Sequence, residues 1–160
     1  MILSAQTIRR LCIGRDAAPP KNQMISPFSE RSKSNGMSYG LSSAGYDVRI
    51  AETVWIMPKT FCLASTMEYF NIPANIMYQV VDKSSWARRG LSAFNTVAEP
   101  GWRGYLTLEL FNASWLPKRI KAGTPIAQIV FQFLDQASAQ PYAGKYQDQE
   151  AGAQAARFEK

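Results

Sequence analysis

The 160-residue sequence predicts a mainly β subunit, with strands in a closed or double-sheet architecture and a short N-terminal helix. From Tyr46 onward, short segments rich in β-branched and aromatic residues recur, broken by Pro, Lys and Asn. Only two stretches have a convincing helical pattern. Many short strands with few helices are typical of sandwiches and barrels. The length indicates a single domain over residues 1–160.

The N-terminal part of the chain divides into a helix and a loop. Ser4 can cap a helix within residues 1–14 whose apolar side chains, Ile8 and Cys12 among them, follow one face. Residues 15–40 are rich in Pro, Ser, Lys and Asn and show no period, which predicts a long loop. Loops of this length in a compact domain are usually functional or disordered.

The β core is expected over residues 41–142 and a flexible tail over residues 143–160. The tail is rich in Gly, Gln and Ala, a composition that favours mobility when nothing is bound. The strand-like segments of the core lie at residues 46–50, 53–57, 60–65, 67–72, 78–82, 105–112, 118–123 and 124–134.

The composition excludes several kinds of catalytic site. The chain has a formal net charge of +6, which favours anionic partners, and it has no histidine. Without histidine there are no Ser-His or Cys-His nucleophilic pairs and no imidazole metal ligands. Cys12 and Cys62 alone cannot supply the zinc cluster of a zinc-dependent base deaminase. Catalysis therefore depends on carboxylates, Lys, Arg, Ser, Tyr or a cation that arrives with the substrate.

The sequence predicts a cytoplasmic protein without membrane or nucleic-acid partners. No apolar run approaches the ~20 residues that span a bilayer, and "MILSAQTIRR" lacks the basic-then-apolar order of a signal peptide. Two cysteines suit a reducing compartment. The basic residues are scattered and do not alternate with stacking aromatics, so no groove for a nucleic-acid strand is expected.

The segment "DKSSWARRG", residues 82–90, is a candidate phosphate-binding site. Ser84 and Ser85 are N-cap candidates for a short helix that stops at Gly90, and Arg88 lies one turn later. Free N–H groups, the helix dipole and a guanidinium together favour a phosphate. The alternative is a plain capped helix with a solvated basic face.

Two further motifs are candidates for contacts with a sugar and a metal ion. "EPGW", residues 99–102, has the signature of a type II turn and predicts a tight hairpin with Glu99 and Trp102 close together. A carboxylate beside a flat ring can bind a sugar hydroxyl, although a simple hairpin explains the motif equally. In "GLSSAGYDVRI", Asp47 either caps a turn or holds a water on Mg²⁺ indirectly.

The segment "YLTLELFNAS", residues 105–114, alternates as an antiparallel strand does. Its leucines fall on one face, and Glu109 falls on the other together with Tyr105, Thr107 and Phe111. A carboxylate at such a position is either an idle surface charge or a functional group.

Taken together, "GLSSAGYDVRI", "DKSSWARRG", "EPGWRGYLTLELFN" and "GKYQDQ" resemble the serial motifs of the dCTP deaminase and dUTPase superfamily, and "MILSAQTIRRL" resembles the start of the deaminase branch. Several motifs in the same order are more specific than any one of them. The resemblance implies a distorted jelly-roll (β-clip), dUTPase-like subunit, a homotrimer and active sites shared between neighbouring subunits.

The resemblance also implies the reaction and the residues that carry it. It implies deamination of dCTP to dUTP and ammonia, with Mg²⁺ carried by the triphosphate and no zinc. Glu109 would activate water as general base and acid, with Tyr105, Thr107 and Phe111 as its neighbours on the pocket side. Arg88 would position phosphates and water. The residues assigned to substrate are Lys83, Ser84, Ser85 and Arg88 for the triphosphate, Glu99 and Trp102 for deoxyribose, and Tyr142, Lys145, Tyr146 and Gln149 for a closing tail.

Other functions remain open at the level of sequence. The nearest is a dUTP pyrophosphatase, or a bifunctional enzyme that forms dUMP directly, in which Glu99 would activate the attacking water. A more distant one is a non-catalytic protein of the same fold that senses nucleotides. It predicts tight binding of triphosphates without turnover.

Overall fold

Two helices and twelve strands form the regular structure in the part of the chain that the computed structural model describes, residues 1–14 and 23–158. The helices are α1 (Ala5–Ile13) and α2 (Ser84–Ala87). The strands are β1 (Ile25–Ser26), β2 (Ser32–Ser34), β3 (Met37–Ser42), β4 (Gly45–Arg49), β5 (Val54–Ile56), β6 (Phe61–Asn71), β7 (Ile76–Asp82), β8 (Leu91–Ala93), β9 (Val97–Ala98), β10 (Arg103–Asn112), β11 (Lys118–Ile120) and β12 (Pro125–Phe133).

The strands form two larger antiparallel sheets and one small one. The first sheet has the order β2-β3-β4-β12-β7-β9, the second has the order β1-β6-β10-β8, and β5 pairs with β11. Side chains of both larger sheets share one core, where the ring of Phe70 on β6 lies 5.2 Å from that of Tyr78 on β7. This arrangement confirms the prediction of a mainly β, two-sheet subunit with a short N-terminal helix.

The N-terminal helix forms as the sequence predicts. The side chain of Ser4 caps α1 by accepting a hydrogen bond from the N–H of Thr7, and Ile8 and Cys12 are buried on its inner face. Burial raises the pKa of the Cys12 thiol to about 12, so this cysteine is an inert core residue. Among the described residues, neither helix has the length and apolar character that crossing a bilayer requires.

The long loop predicted over residues 15–40 is wrong where the structure describes it. Residues 15–22 lie outside the described part, but β1, β2 and most of β3 fall within the remainder. Ile25 is fully buried in the core, where β1 pairs with β6. β2 and β3 form a hairpin around Asn35 and Gly36, whose φ angles are 48° and 76°. Asn-Gly is a strong hairpin signal, but the flanking strands are too short and polar to show a period. The β core therefore begins before residue 41.

β6 is one continuous strand, where the sequence predicts separate segments at 60–65 and 67–72. Its pairing with β10 shifts register near the middle of the strand. There the hydroxyl of Thr66 donates to the carbonyl of Glu68 (2.8 Å) and accepts from the N–H of Leu106 (3.0 Å). The side chain supplies the partners that the ladder lacks, so the strand continues through the irregularity.

Candidate active site

β10 presents two different faces, as its alternating sequence predicts. Leu106, Leu108 and Leu110 are buried, whereas Thr107 and Glu109 on the opposite face are half-buried. On one side of the strand, Glu109 lies opposite Leu63 of β6. On the other side, its backbone carbonyl accepts a hydrogen bond from the N–H of Phe94, the residue that follows β8. Its strand is therefore fixed within the sheet on both edges.

A cavity of about 670 Å³ opens on the face of β10 that carries Glu109. This volume is within the range of small-molecule sites, roughly 300–1,000 Å³. The walls come from the start of β6, the segment around β9, β10 and the C-terminal tail. The lining residues are Phe61, Leu63, Thr96, Val97, Ala98, Glu99, Trp102, Leu106, Thr107, Glu109, Tyr142, Tyr146, Gln149, Gln154, Ala155 and Ala156.

The cavity brings together only part of the predicted site. The predicted residues that line it are Glu99, Trp102, Glu109, Tyr142, Tyr146 and Gln149. Those that do not line it are Asp47, Lys83, Ser84, Ser85, Arg88 and Lys145. The lining is largely apolar, and its ionisable side chains include two carboxylates but no Lys or Arg of the described residues.

Glu109 is the carboxylate whose protonation the cavity changes. Desolvation raises its pKa above the ordinary value of a glutamate, and a hydrogen bond from its own backbone N–H opposes this only in part. Within residues 1–14 and 23–158, no Lys or Arg forms an ion pair with it. A carboxylate with a raised pKa is a stronger base when ionised and carries a proton nearer to neutral pH.

The expected aromatic neighbours of Glu109 do not line the cavity. The ring of Tyr105 packs edge-on against Tyr69 at 5.3 Å, and that of Phe111 stacks on Phe94 at 6.1 Å. Tyr69 lies on β6 and Phe94 directly follows β8, and neither Tyr105 nor Phe111 lines the cavity. The prediction for these two residues is wrong because alternation fixes a face but not the direction of a ring along it.

The turn around Pro100 and Gly101 places Glu99 beside Trp102, as the sequence predicts. The N–H of Trp102 donates to the carbonyl of Glu99 (3.1 Å), and Gly101 has φ of +85°. A Cβ at Gly101 would come within 2.6 Å of the Cβ of Pro141, so both the angle and the space favour glycine.

The flanking strands do not form the hairpin that the motif predicts. β9 pairs with β7 in the six-stranded sheet, whereas β10 pairs with β6 and β8 in the other sheet. The turn therefore carries the chain from one sheet to the other. It places Glu99, which is exposed, at the rim of the cavity and Trp102, which is 5% exposed, in its wall.

The C-terminal tail packs over the cavity of its own protomer. The backbone carbonyl of Tyr146 in the tail accepts a hydrogen bond from the indole N–H of Trp102 (2.8 Å). The hydroxyl of Tyr142 accepts a hydrogen bond from the backbone N–H of Tyr146 (3.1 Å). Thr107 on β10 anchors the tail further on, because its hydroxyl accepts hydrogen bonds from the side chain of Gln149 and from the N–H of Gln154 (3.0 Å). The flexibility predicted for residues 143–160 stays a prediction.

The "DKSSWARRG" segment lies outside the cavity, with Ser84, Ser85 and Arg88 exposed. The N-cap prediction for the two serines is wrong: Lys83 is the N-cap and makes no side-chain cap, and Arg88 is the C-cap. The indole of Trp86 is buried, and its N–H donates to the carbonyl of Pro125 (2.8 Å). This contact fixes which side of the short helix faces the core. The hydroxyls and the guanidinium are left on the surface.

Lys83 and Asp47 pair with each other. The ammonium of Lys83 donates to Asp47 Oδ2 at 2.7 Å, and both side chains are buried. The sequence assigns one to the triphosphate and the other to a metal-bound water, and it gives no sign that they meet. Those two roles stay predictions.

Several lining residues escaped the sequence analysis. Leu63 lies opposite Glu109 in the β6–β10 register, and Phe61 opens the same strand. Gln154 and the two alanines after it belong to a tail that has no period. Their contribution depends on pairing and on how the tail crosses β10, which local sequence does not encode.

Comparison with known proteins identifies the family. The dCTP deaminase-like family matches residues 43–134 of this chain. The dCTP deaminase of Campylobacter fetus subsp. fetus is 36% identical over 81% of this chain and 88% of that protein. The chain belongs to the dCTP deaminase-like family. A dCTP deaminase of Herpetosiphon aurantiacus is 38% identical over a match that covers 79% of this chain and 86% of the Herpetosiphon protein. The resemblance drawn from the motifs is confirmed.

Solved structures support the fold of this family member. The EIAV dUTPase superposes with a TM-score of 0.55 at 20% identity, covering 78% of this chain and 94% of that one. A mutant dUTPase from phage phi11 of S. aureus superposes with a TM-score of 0.57 at 16% identity, covering 75% and 95%, and its structure describes a structural Mg(II) ion in that protein. At these identities the likeness concerns the fold, and the predicted dUTPase-like jelly roll is confirmed.

Proposed function

We propose that this protein hydrolyses dCTP to dUTP and ammonia. The observation that carries the proposal is the half-buried carboxylate of Glu109, which lines an apolar cavity together with Glu99 and Trp102 and has a raised pKa. Membership in the dCTP deaminase-like family supports the same reaction. Glu109 has no ion-pair partner among the described residues, so its carboxylate is available to a substrate.

In the proposed reaction Glu109 moves two protons from water to the base, one after the other. Its carboxylate takes the first proton as the water oxygen attacks C4 of cytosine, and it hands that proton to N3. It then takes the proton of the new C4 hydroxyl group and hands it to the amino group, so that the C4–N bond breaks, the C4 carbonyl forms and ammonia leaves. A single carboxyl group acts as base and then as acid because desolvation brings its pKa towards the working pH.

The remaining lining residues position the nucleoside. Glu99 at the rim accepts a hydrogen bond from the deoxyribose hydroxyl, and the ring of Trp102 packs beside the sugar. The apolar side chains of Leu63 and Val97 keep water away from the base, which strengthens the interactions of Glu109. Tyr146 in the tail closes the cavity over the nucleotide.

The triphosphate requires cations that the cavity of one protomer does not supply. A nucleoside triphosphate is strongly anionic, and the lining includes two carboxylates but no described Lys or Arg. Ser84, Ser85 and Arg88 are exposed elsewhere on the same protomer, which is the position expected of residues that complete the site of a neighbour. The proposed assembly is the homotrimer with shared sites that the family resemblance implies, in which Lys145 also contacts phosphate.

The described residues do not fit a magnesium site held by the protein. They contain no group of three or more Asp, Glu or Cys side chains that could hold a metal ion, and Asp47 is neutralised by Lys83. Mg²⁺ commonly binds through substrate phosphates and keeps its waters. In the proposal the ion arrives on the triphosphate.

The reaction is tested by incubating the protein with dCTP and Mg²⁺ while ammonia and nucleotides are measured. We expect dUTP and ammonia in equal amounts. Formation of dUMP with pyrophosphate from dCTP would indicate a bifunctional enzyme. If dCTP is left unchanged and a parallel incubation with dUTP gives dUMP and pyrophosphate, the protein is a dUTP pyrophosphatase. Tight binding of dCTP by folded protein without any product would contradict the proposal and favour a nucleotide sensor.

Shared sites are tested by mixing two inactive variants, Glu109→Gln and Arg88→Gln, after unfolding and refolding them together. If the two residues of a site come from different copies, random mixed trimers regain roughly a quarter of wild-type activity. If both come from the same chain, the mixture stays inactive and the shared-site proposal is wrong. Each variant refolded alone is the control.

A further inference from the structure

A second cavity, of about 360 Å³, lies between the end of α2 and the segment that leads into β11. It shares no lining residue with the larger cavity. Its lining residues are Trp86, Arg89, Ser114, Leu116, Pro117, Lys118 and Arg119. We call it the basic pocket.

The basic pocket concentrates positive charge without a counter-ion. Arg89, Lys118 and Arg119 line it, and no Asp or Glu of the described residues does so. None of the three forms an ion pair within the described part of the chain. Desolvation and the nearby guanidinium of Arg89 lower the pKa of Lys118. Cations held together in this way repel each other, and a bound anion would remove that repulsion.

The cations of the basic pocket are held in place by the fold. The ammonium of Lys118 donates to the hydroxyl of Ser114 (2.8 Å), which donates in turn to Asn112 Oδ1 (2.7 Å). Asn112 is fully buried, and its amide donates to the carbonyls of Ile56 (3.1 Å) and Leu116 (2.9 Å). The lysine therefore ends a hydrogen-bonded chain that is anchored in the core, unlike a solvated surface lysine.

The two arginines are also oriented by contacts. The guanidinium of Arg89 lies 5.0 Å from the ring of Trp86, and that of Arg119 lies 5.9 Å from the ring of Trp55. Stacking on a ring limits the motion of a guanidinium and leaves its N–H groups available at the edge. Lys118 and Arg89 are therefore oriented before a ligand arrives, and Arg119, whose ring partner Trp55 does not line the cavity, adds positive charge nearby.

We propose that the basic pocket binds the phosphate groups of a small anion, at a site that shares no lining residue with the larger cavity and that is lined by neither Ser84, Ser85 nor Arg88. Guanidinium and ammonium groups bind phosphate oxygens through charge-assisted hydrogen bonds. The cavity is near the lower limit of small-molecule sites, roughly 300 Å³, which fits a pyrophosphate or the phosphate end of a nucleotide.

The proposal is tested by calorimetric titration with sodium pyrophosphate in the absence of divalent cations. The background is Arg88→Gln, which removes one of the cations proposed to bind triphosphate in the active site. In this background we expect one pyrophosphate per protomer. Adding Lys118→Gln should weaken binding about ten- to a hundredfold, the cost of losing a hydrogen bond to a charged group.

Two variants control this titration. Lys121→Gln removes an exposed charge three residues further along and should leave the affinity unchanged. Lys118→Arg should restore most of the binding, because it returns the charge. If Lys118→Gln does not fold, Arg119→Gln at an exposed position takes its place. Equal affinity in all variants, or no binding of pyrophosphate in the Arg88→Gln background, overturns the proposal.

A second titration with ATP distinguishes the source of the phosphate. Tighter binding of ATP than of pyrophosphate, lost in Lys118→Gln, identifies the phosphate end of a nucleotide. Equal or weaker binding identifies a free polyphosphate. A short DNA duplex that binds where neither small anion does would overturn the proposal, because the recognised feature would then be a nucleic-acid backbone.

Discussion

Glu68 and Glu109 lie on paired strands of the same sheet, yet their surroundings differ completely. Glu68 on β6 is fully buried and accepts two hydrogen bonds from Arg49, from its backbone N–H at 2.9 Å and its Nε at 2.8 Å. Glu109 on β10 is half-buried beside a cavity and has no ion-pair partner among the described residues. The charge of Glu68 is balanced by Arg49, whereas Glu109 is partly desolvated and its carboxylate is available to a ligand in the cavity.

The comparison shows how the same side chain serves stability in one place and chemistry in another. The pair of Glu68 and Arg49 joins β6 of one sheet to β4 of the other, and the guanidinium also lies 4.4 Å from the ring of Tyr39. Burial raises the pKa of Glu68 as well, but both of its carboxylate oxygens accept hydrogen bonds from Arg49, which leaves neither of them for a substrate. Burial also destabilises the ionised form of Glu109, and no Lys or Arg of the described residues pairs with it, which is the condition for a proton carrier.

The largest expected effect is the loss of turnover in Glu109→Gln. Removing a general base and acid should lower kcat for dCTP by about 10²–10⁴-fold while the affinity for the nucleotide changes little. Steady-state kinetics and a binding titration separate the two. Glu30→Gln, which breaks an exposed ion pair with Arg9, is the matched control and should keep full activity. Full activity in Glu109→Gln would mean that Glu109, like Glu68, has no part in the reaction.

The next effect concerns stability at the other glutamate. Arg49→Leu leaves the carboxylate of Glu68 buried without its partner and should lower the free energy of unfolding by ~3–5 kcal/mol. Urea unfolding monitored by tryptophan fluorescence measures it. Arg9→Leu removes the partner of an exposed ion pair and should cost far less. A small loss in Arg49→Leu would show that the buried pair contributes no more than a surface pair.

A smaller effect is a pH-dependent gain of stability in Glu109→Gln. The pKa of Glu109 is higher in the folded protein than its ordinary value of 4.5, so ionisation of this group destabilises the folded state. Relative to the glutamine variant, wild type should therefore lose stability as pH rises from 4.5 through the raised pKa. Below 4.5 the carboxyl group is neutral in both states and the difference should vanish.

Thermal unfolding of both proteins over a series of pH values tests this dependence. The control is Glu30→Gln, because the hydrogen bonds and charge of Arg9 lower the pKa of the Glu30 carboxyl group. Relative to that variant, wild type should gain stability as the pH rises, which is the opposite direction. A wild type that gains stability over the glutamine variant with rising pH would contradict the raised pKa of Glu109.

The smallest expected effect concerns the tail over Glu109. Thr107→Val removes the acceptor of two hydrogen bonds from Gln149 and Gln154. We expect KM for dCTP to rise roughly fivefold, in line with about 1 kcal/mol for a net hydrogen bond, with kcat nearly unchanged. Thr53→Val is the control, since that hydroxyl also accepts a backbone N–H but lies outside the cavity. An unchanged KM would show that this anchor plays no part in closure.

Much of the candidate site was predictable because its signals are local. Alternation around Glu109 identified the face of the strand, and Pro-Gly in the turn placed Glu99 beside Trp102. The structure of the early segment was not predicted, although Asn35 and Gly36 signalled its hairpin. The pairing of Lys83 with Asp47 was also missed, because the two residues lie 36 positions apart and meet only through sheet packing.

The sequence by itself determined the β architecture, the face on which Glu109 lies and the absence of histidine chemistry, since periodicity and composition are properties of the chain alone. The tertiary structure decided that Glu68 is paired with Arg49, that Glu109 has no ion-pair partner among the described residues, and that β9 and β10 belong to different sheets. Those outcomes depend on register and packing between segments that are distant in the sequence. The pKa of a carboxyl group shifts only when the folded protein buries it, and the sequence alone does not determine which carboxyl groups are buried.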